Sequence, residues 1–216
     1  MTKVVLVRHA RSTANAEGIL AGRLPGVALD EVGRAQATAL ADLLRGLVVA
    51  AAYTSPLQRC RETAALAGWP AAETVDDLNE CDYGSWSGRP LAQLRGLPVW
   101  KEIQESPSTV RFPGGEAMTE MSQRIVSAVE RLAGQHRSDE TIIVFSHGDP
   151  LKATLAAALG IGLDQFQRFH IGPAGVTAID YSPGVALVLC VNATTGLAPL
   201  LTSVSAPIIG GGDIAK

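Results

Sequence analysis

Apolar residues recur along this chain in two rhythms. Val4–Val7, Val48–Tyr53 and Thr141–Phe145 are short unbroken apolar runs rich in β-branched residues, the pattern of strands buried on both faces. Between them, apolar positions return every three or four residues, the pattern of helices with one buried face. Val32, Ala35, Ala39, Leu40, Leu43 and Leu47 mark a helix that Asp30 caps and that runs to about Arg45. Met118, Met121, Ile125, Val129 and Leu132 mark the longest one. Strands alternating with helices predict an α/β fold: a three-layer sandwich whose mixed, mostly parallel central sheet carries helices on both faces.

Turn chemistry divides the remainder. Ser55-Pro56-Leu57-Gln58 predicts a helix start, with Ser55 as cap and Pro56 at the first helical position. That helix ends near Gly68-Trp69-Pro70, and a weak edge strand follows at Glu73–Val75. Asp76–Gly84 is an acidic loop, and prolines at 90, 98 and 107 break residues 86–111 into short helical pieces. Phe112–Glu116 turns into the long helix, and Asp149-Pro150 starts another after Thr141–Phe145. Phe166–Ile171, Val176–Tyr181 and Val185–Val191 predict three more strands, the last two joined by a hairpin at Ser182-Pro183-Gly184. Ser205–Lys216, with three consecutive glycines, predicts a mobile tail. The expected organisation is one domain over residues 1–192 with a lid-like insertion at 86–111, and a C-terminal segment at 193–216.

Composition narrows the function. A net charge of −3 over 216 residues argues against nucleic acid or an anionic membrane as a partner. The cysteines at 60, 81 and 190 are odd in number and lack metal-ligand spacing. No leader or membrane span is evident, so a cytoplasmic protein with reduced thiols is expected. An open edge in a mixed sheet leaves room for a homodimer.

The chemistry sits where two apolar strands end. The first leads into Arg8-His9 and the other into Ser146-His147-Gly148. Ligands of open α/β sheets collect at such carboxyl ends. Arg59 lies early in the helix after Ser55, where a cation adds to an anion site. One carboxylate of the acidic loop beside these bases is a candidate proton donor.

Taken in order, Val7–Asn15, Thr54–Ala64, Leu78–Glu80, Tyr83–Gly88, Phe112–Glu116 and Ser146–Gly148 resemble the histidine phosphatase superfamily, also called phosphoglycerate mutase-like, over residues 3–191. The resemblance implies a phosphomonoester hydrolase without cofactor or metal, acting on a small phosphorylated molecule. It implies His9 as nucleophile, Glu80 as general acid and base, and Arg8, Arg59 and His147 as holders of the phosphoryl oxygens. Asn15, Gly22, Tyr83 and Gly148 would help to bind substrate, with Trp86, Arg89, Trp100 and Arg111 at the pocket mouth. The stretch Arg89–Arg95 lacks the basic pair of the mutase branch, so the phosphatase branch fits better. Mutase-type phosphoryl transfer and phosphate binding without turnover are the alternatives.

Several features carry expectations of their own. Ala10 replaces the family's usual glycine and would be strained if its φ were positive. Ser87 stands where an acidic residue is common. Asp77 and Asp82 would raise the pKa of Glu80, and the arginines would lower those of both histidines, of which His147 is more useful as a cation. Asp149 is expected to turn away from the site and cap its helix.

Overall fold

The computed structural model describes residues 2–181 and 185–194. The link at Ser182–Gly184 and the tail at Ser205–Lys216 lie outside the described residues. The strands are β1 (Lys3–Arg8), β2 (Ala51–Thr54), β3 (Glu73–Thr74), β4 (Thr141–Ser146), β5 (Val176–Asp180) and β6 (Leu187–Ala193). The helices are α1 (Thr13–Ala16), α2 (Glu31–Leu43), α3 (Gln58–Leu66), α4 (Leu91–Leu94), α5 (Val99–Glu105), α6 (Met118–Gly134) and α7 (Gly148–Ala158).

The strands form one sheet in the order β3-β2-β4-β1-β5-β6. β3, β2, β4 and β1 run parallel, whereas β5 is antiparallel to both β1 and β6. Side chains of β1 alternate between the two faces, as the pleat requires. Val4 and Leu6 join a core with α6, α7 and the 86–111 segment. Val5 and Val7 join a second core with α2 and α3. The sheet is therefore the middle of three layers, as the alternation of strands and helices predicts.

Several local readings change. The buried face of α2 is Gly33, Ala37 and Leu40, and Val32 is 45% exposed. The helix docks through its glycine, because a Cβ on Gly33 would lie 1.8 Å from the Arg11 carbonyl oxygen; a hydrophobicity pattern does not register such a contact. β2 starts only at Ala51, where pairing with β4 begins, and Val48 stays exposed. Phe166–Ile171 is no strand: Leu163–Arg168 is a 3-10 helix. Asp164 accepts hydrogen bonds from the Ser108 amide and hydroxyl, which ties this turn to the insertion and lets Phe166 drop into the core.

The insertion is anchored. Leu94, Ile103 and Val110 are buried in the first core. The Leu20 amide donates to the Arg89 carbonyl and the Gly88 amide to the Leu20 carbonyl, lacing the segment to the loop before α2. Cys60 and Cys81 are buried, Cys190 is partly exposed, and none of the three forms a disulfide.

Two glycines in helices test this packing with opposite signs. Alanine is ordinarily the better helix former by about 1 kcal/mol. Gly134→Ala, with nothing within 4 Å of the new methyl group, should raise the midpoint of thermal unfolding slightly. Gly33→Ala should lower it, by about 1–3 kcal/mol of overpacking, in the same melting experiment.

Candidate active site

Parallel pairing of β1 with β4 sets Arg8 opposite Ser146. The residue after each strand is a histidine, and the His9 amide donates to the Ser146 carbonyl at 2.9 Å. The two imidazoles meet edge to face with centroids 5.2 Å apart.

Hydrogen bonds fix the tautomer of each ring. His9 Nδ1 lies 2.8 Å from its neighbour's carbonyl, that of Ala10, which can only accept, so Nδ1 carries the proton and Nε2 the lone pair. Arg59 Nε donates to that Nε2 at 3.3 Å. His147 Nδ1 accepts from Arg59 Nη2 at 3.2 Å, and its Nε2 donates to Ser55 Oγ at 2.8 Å. Burial, with Arg59 and Arg8 nearby, holds both histidines well below their ordinary pKa. Both are neutral at pH 7, so His147 is not held as a cation by its protein surroundings.

Arg8 and Arg59 are almost fully buried. Arg8 Nη1 donates to the Ile171 carbonyl at 2.7 Å, and Arg8 packs across Gly148, whose added Cβ would lie 3.5 Å from the guanidinium carbon. Arg59 Nη2 donates to the Gly22 carbonyl at 2.7 Å. Its Nη1 is buried without a hydrogen-bond partner among the described residues, a donor whose burial costs about 1–3 kcal/mol until something accepts from it. Arg59 does not pair with Glu62, whose carboxylate accepts from the Leu29 amide and from Gln58.

His9, Asn15, Gly22, Arg59, Glu80 and Tyr83 line one narrow cleft. Asn15 Oδ1 accepts from the Ser12 amide and hydroxyl, which directs its amide nitrogen, a donor, the other way. Gly22 has φ +52°, and a Cβ there would lie 2.6 Å from Ser87 Oγ. Glu80 is buried, and Oε1 accepts from the Cys81 amide at 2.9 Å. Burial, then the charge of Asp149, pushes its pKa up to about 7 against the pull of Arg59.

That pattern decides the comparison. Residues 4–194 match the model of the histidine phosphatase superfamily, branch 1. The chain belongs to this superfamily. Phosphoserine phosphatase 1 of Hydrogenobacter thermophilus is 32% identical over 202 residues, covering 91% of this chain and 95% of that protein. A 2,3-bisphosphoglycerate-dependent phosphoglycerate mutase of Brucella melitensis is 30% identical, covering 90% of this chain and 95% of that one. The solved structure titled Bacillus stearothermophilus YhfR superposes with a TM-score of 0.82 at 26% identity, covering 90% of this chain and 98% of that chain.

Within this histidine phosphatase, four expectations need correction. Ser55 does not cap α3, which starts at Gln58 with Leu57 before it; its hydroxyl serves His147 and accepts from the Leu57 amide. Asp149 does not cap α7, because the helix begins at Gly148 and Asp149 lies inside its first turn. Its side chain is 0% exposed and accepts from the Tyr83 hydroxyl at 2.7 Å. Asp77 and Asp82 are occupied elsewhere, with Arg131 and the Gly84 amide, and Asp149 supplies the charge felt by Glu80. Trp86 and Arg111 line a second groove with Phe112 and Pro113 rather than the cleft at His9.

Sequence reasoning missed the frame that holds the loop of Glu80. Arg124 donates to the carbonyls of Asp77, Asn79 and Glu80, and Arg23 donates to that of Glu80. Glu116 pairs with both arginines and accepts from the Asp82 amide. The only signal for it was Glu116 at the end of the Phe-Pro-Gly-Gly turn. Thr63 was also missed; its hydroxyl accepts from the Ala10 amide and donates to the Arg59 carbonyl.

Ala10 raises no strain: its φ is not positive, and its methyl group is buried in the second core. Ala10→Gly should therefore cost about 1 kcal/mol of stability through the lost methyl group and the freer unfolded chain. It should leave kcat/KM essentially unchanged, which parallel melting and phosphatase assays would check.

Proposed function

We propose that this chain hydrolyses a small phosphomonoester in two steps through a phosphohistidine on His9. The observation that carries the reading is the His9 Nε2 lone pair, held beside Arg59 in a cleft shared with a buried Glu80 whose pKa is pushed up to about 7.

In the first step Nε2 attacks phosphorus as the bond to the ester oxygen breaks. Glu80 gives its proton to the departing oxygen, so the alcohol leaves neutral. In the second, Glu80 as carboxylate takes a proton from water, whose oxygen attacks phosphorus and breaks the P–N bond. Inorganic phosphate leaves, and His9 and Glu80 return to their starting forms. Arg8 and Arg59 meet the charge on the phosphoryl oxygens in a site dry enough to strengthen each contact. Arg59 Nη1 gains its acceptor there. A bound phosphate dianion favours protonation of His147 Nδ1, turning it from acceptor into donor toward the phosphoryl group. Asn15, Gly22, Tyr83 and Gly148 shape the binding cleft, within a single domain over residues 1–192 that carries the insertion at 86–111.

The relative named phosphoserine phosphatase makes O-phosphoserine the first substrate to assay. Mutase-type transfer is the second reading, favoured by the Brucella relative. Phosphoglycerate isomerisation with a bisphosphoglycerate primer, set against phosphate release, separates the two.

The same proposal places the protein in the cytoplasm, in keeping with three cysteines that form no disulfide. No helix among the described residues is long and apolar enough to cross a membrane. It also includes a homodimer through β6. Among the described residues β6 pairs only with β5, and Leu187, Leu189 and Val191 stand exposed on one face, an edge suited to a second copy.

His9→Ala should lower phosphate release by roughly 10^3-fold or more and abolish acid-quenched labelling by substrate phosphate, while chelators leave the wild-type rate unchanged. Equal activity of wild type and His9→Ala across a panel of phosphomonoesters would refute the hydrolase. Leu189→Lys should shift the molecular mass measured by light scattering from dimer to monomer. A monomeric wild type would remove the dimer.

A further inference from the structure

Asp149 is an expensive residue to keep. Its carboxylate is completely buried in the first turn of α7, and burying a carboxylate costs several kcal/mol that an ion pair only partly returns. Lys152, one turn on, is equally enclosed: its Nζ lies 3.6 Å from Asp149 Oδ1 and donates to Gln167 Oε1 at 3.1 Å. Apolar residues of the same size would fill this space at no greater cost. The other oxygen, Oδ2, accepts the Tyr83 hydroxyl at 2.7 Å. Tyr83 belongs to the loop that carries Glu80, and both residues line the cleft at His9. The carboxylate is thus fixed from two sides, behind the tyrosine that stands beside the acid.

We propose that Asp149 is a positioning residue for the general acid. Its fixed negative charge keeps Glu80 in the proton-bearing form until the leaving oxygen takes the proton. This deepens the hydrolase reading and rests on it.

The charged groups around Glu80 pull in opposite directions. Arg59 from α3 and Arg8 from β1 favour the carboxylate form, as does the Cys81 amide; burial and Asp149 oppose them. Cys81 is buried as an uncharged thiol. His9 and His147, across the cleft, are held neutral. Lys152 pairs with Asp149 Oδ1 and donates to Gln167, yet as a cation it also favours the carboxylate form of Glu80, and Arg124 and Arg23 meet Glu80 only at its backbone carbonyl. A phosphate site needs its two arginines, yet a carboxyl group beside two arginines would ordinarily give up its proton. Asp149 offsets that pull without touching the substrate. Once Glu80 has given up its proton, the same charge makes it a stronger base toward water.

Asp149→Asn separates charge from structure, because the amide oxygen still accepts the Tyr83 hydroxyl. With an alkyl phosphate such as glycerol 2-phosphate, the alkaline limb of kcat/KM should move by about one pH unit to the acid side. The rate above neutral pH should fall about tenfold. p-Nitrophenyl phosphate, whose leaving group needs no proton, should change less than about twofold. In a Glu80→Gln background the substitution should have no further effect. An unmoved limb, equal losses on both substrates, or a loss that persists in Glu80→Gln would overturn the proposal.

NMR titration of the Glu80 carboxyl carbon gives an answer that does not depend on turnover. A wild-type midpoint near neutrality that falls in Asp149→Asn supports the proposal even if neither substrate is hydrolysed, an outcome that counts against the hydrolase reading alone. A wild-type midpoint in the ordinary carboxylate range overturns it, whether or not the variant folds.

Discussion

The pairing of β1 with β4 is the constraint on which the site depends. These strands are distant in sequence, and their parallel register sets Arg8 against Ser146. Two histidines one residue further on then share one sheet end. A shift of one residue would turn every side chain of one strand to the opposite face, moving Val4 and Leu6 into the wrong core. The register is therefore enforced by two hydrophobic layers at once. The catalytic geometry inherits its precision from that packing, and Thr63 adds a local clamp between Ala10 and Arg59.

Around this frame the electrostatics are set by burial. Two guanidiniums beside two imidazoles leave the imidazoles neutral, as the nucleophilic role proposed for His9 requires. The same dry surroundings raise Glu80, as the acid role proposed for it requires. One physical cause, withdrawal from water, thus drives bases and acid toward their uncharged forms. The loop bearing Glu80 is pinned through its carbonyls by Arg23 and Arg124, with Glu116 bracing both. The acid's side chain is left to the cleft while its backbone is held from behind.

Much of the fold was legible in advance because strand runs and helix stripes are local signals. β1, β4 and α6 lie where their apolar patterns place them. The misread elements share one feature: their conformation answers to distant partners. α2 turns its glycine inward because the Arg11 carbonyl is there. Phe166–Ile171 reads as a strand, yet Asp164 and Ser108 hold Leu163–Arg168 as a 3-10 helix. Ser55 carries every mark of a helix cap, but the second histidine claims its hydroxyl.

The sequence by itself determined the layered α/β architecture and the superfamily. Hydrophobic period, turn chemistry and ordered motifs are written along the chain. Only the tertiary structure decided which nitrogen of His9 holds the lone pair, that Ala10 is unstrained, and that Asp149 faces the acid's tyrosine rather than its own helix end. Those outcomes depend on burial and on contacts between segments far apart in sequence, and no local pattern encodes the distance between two charges.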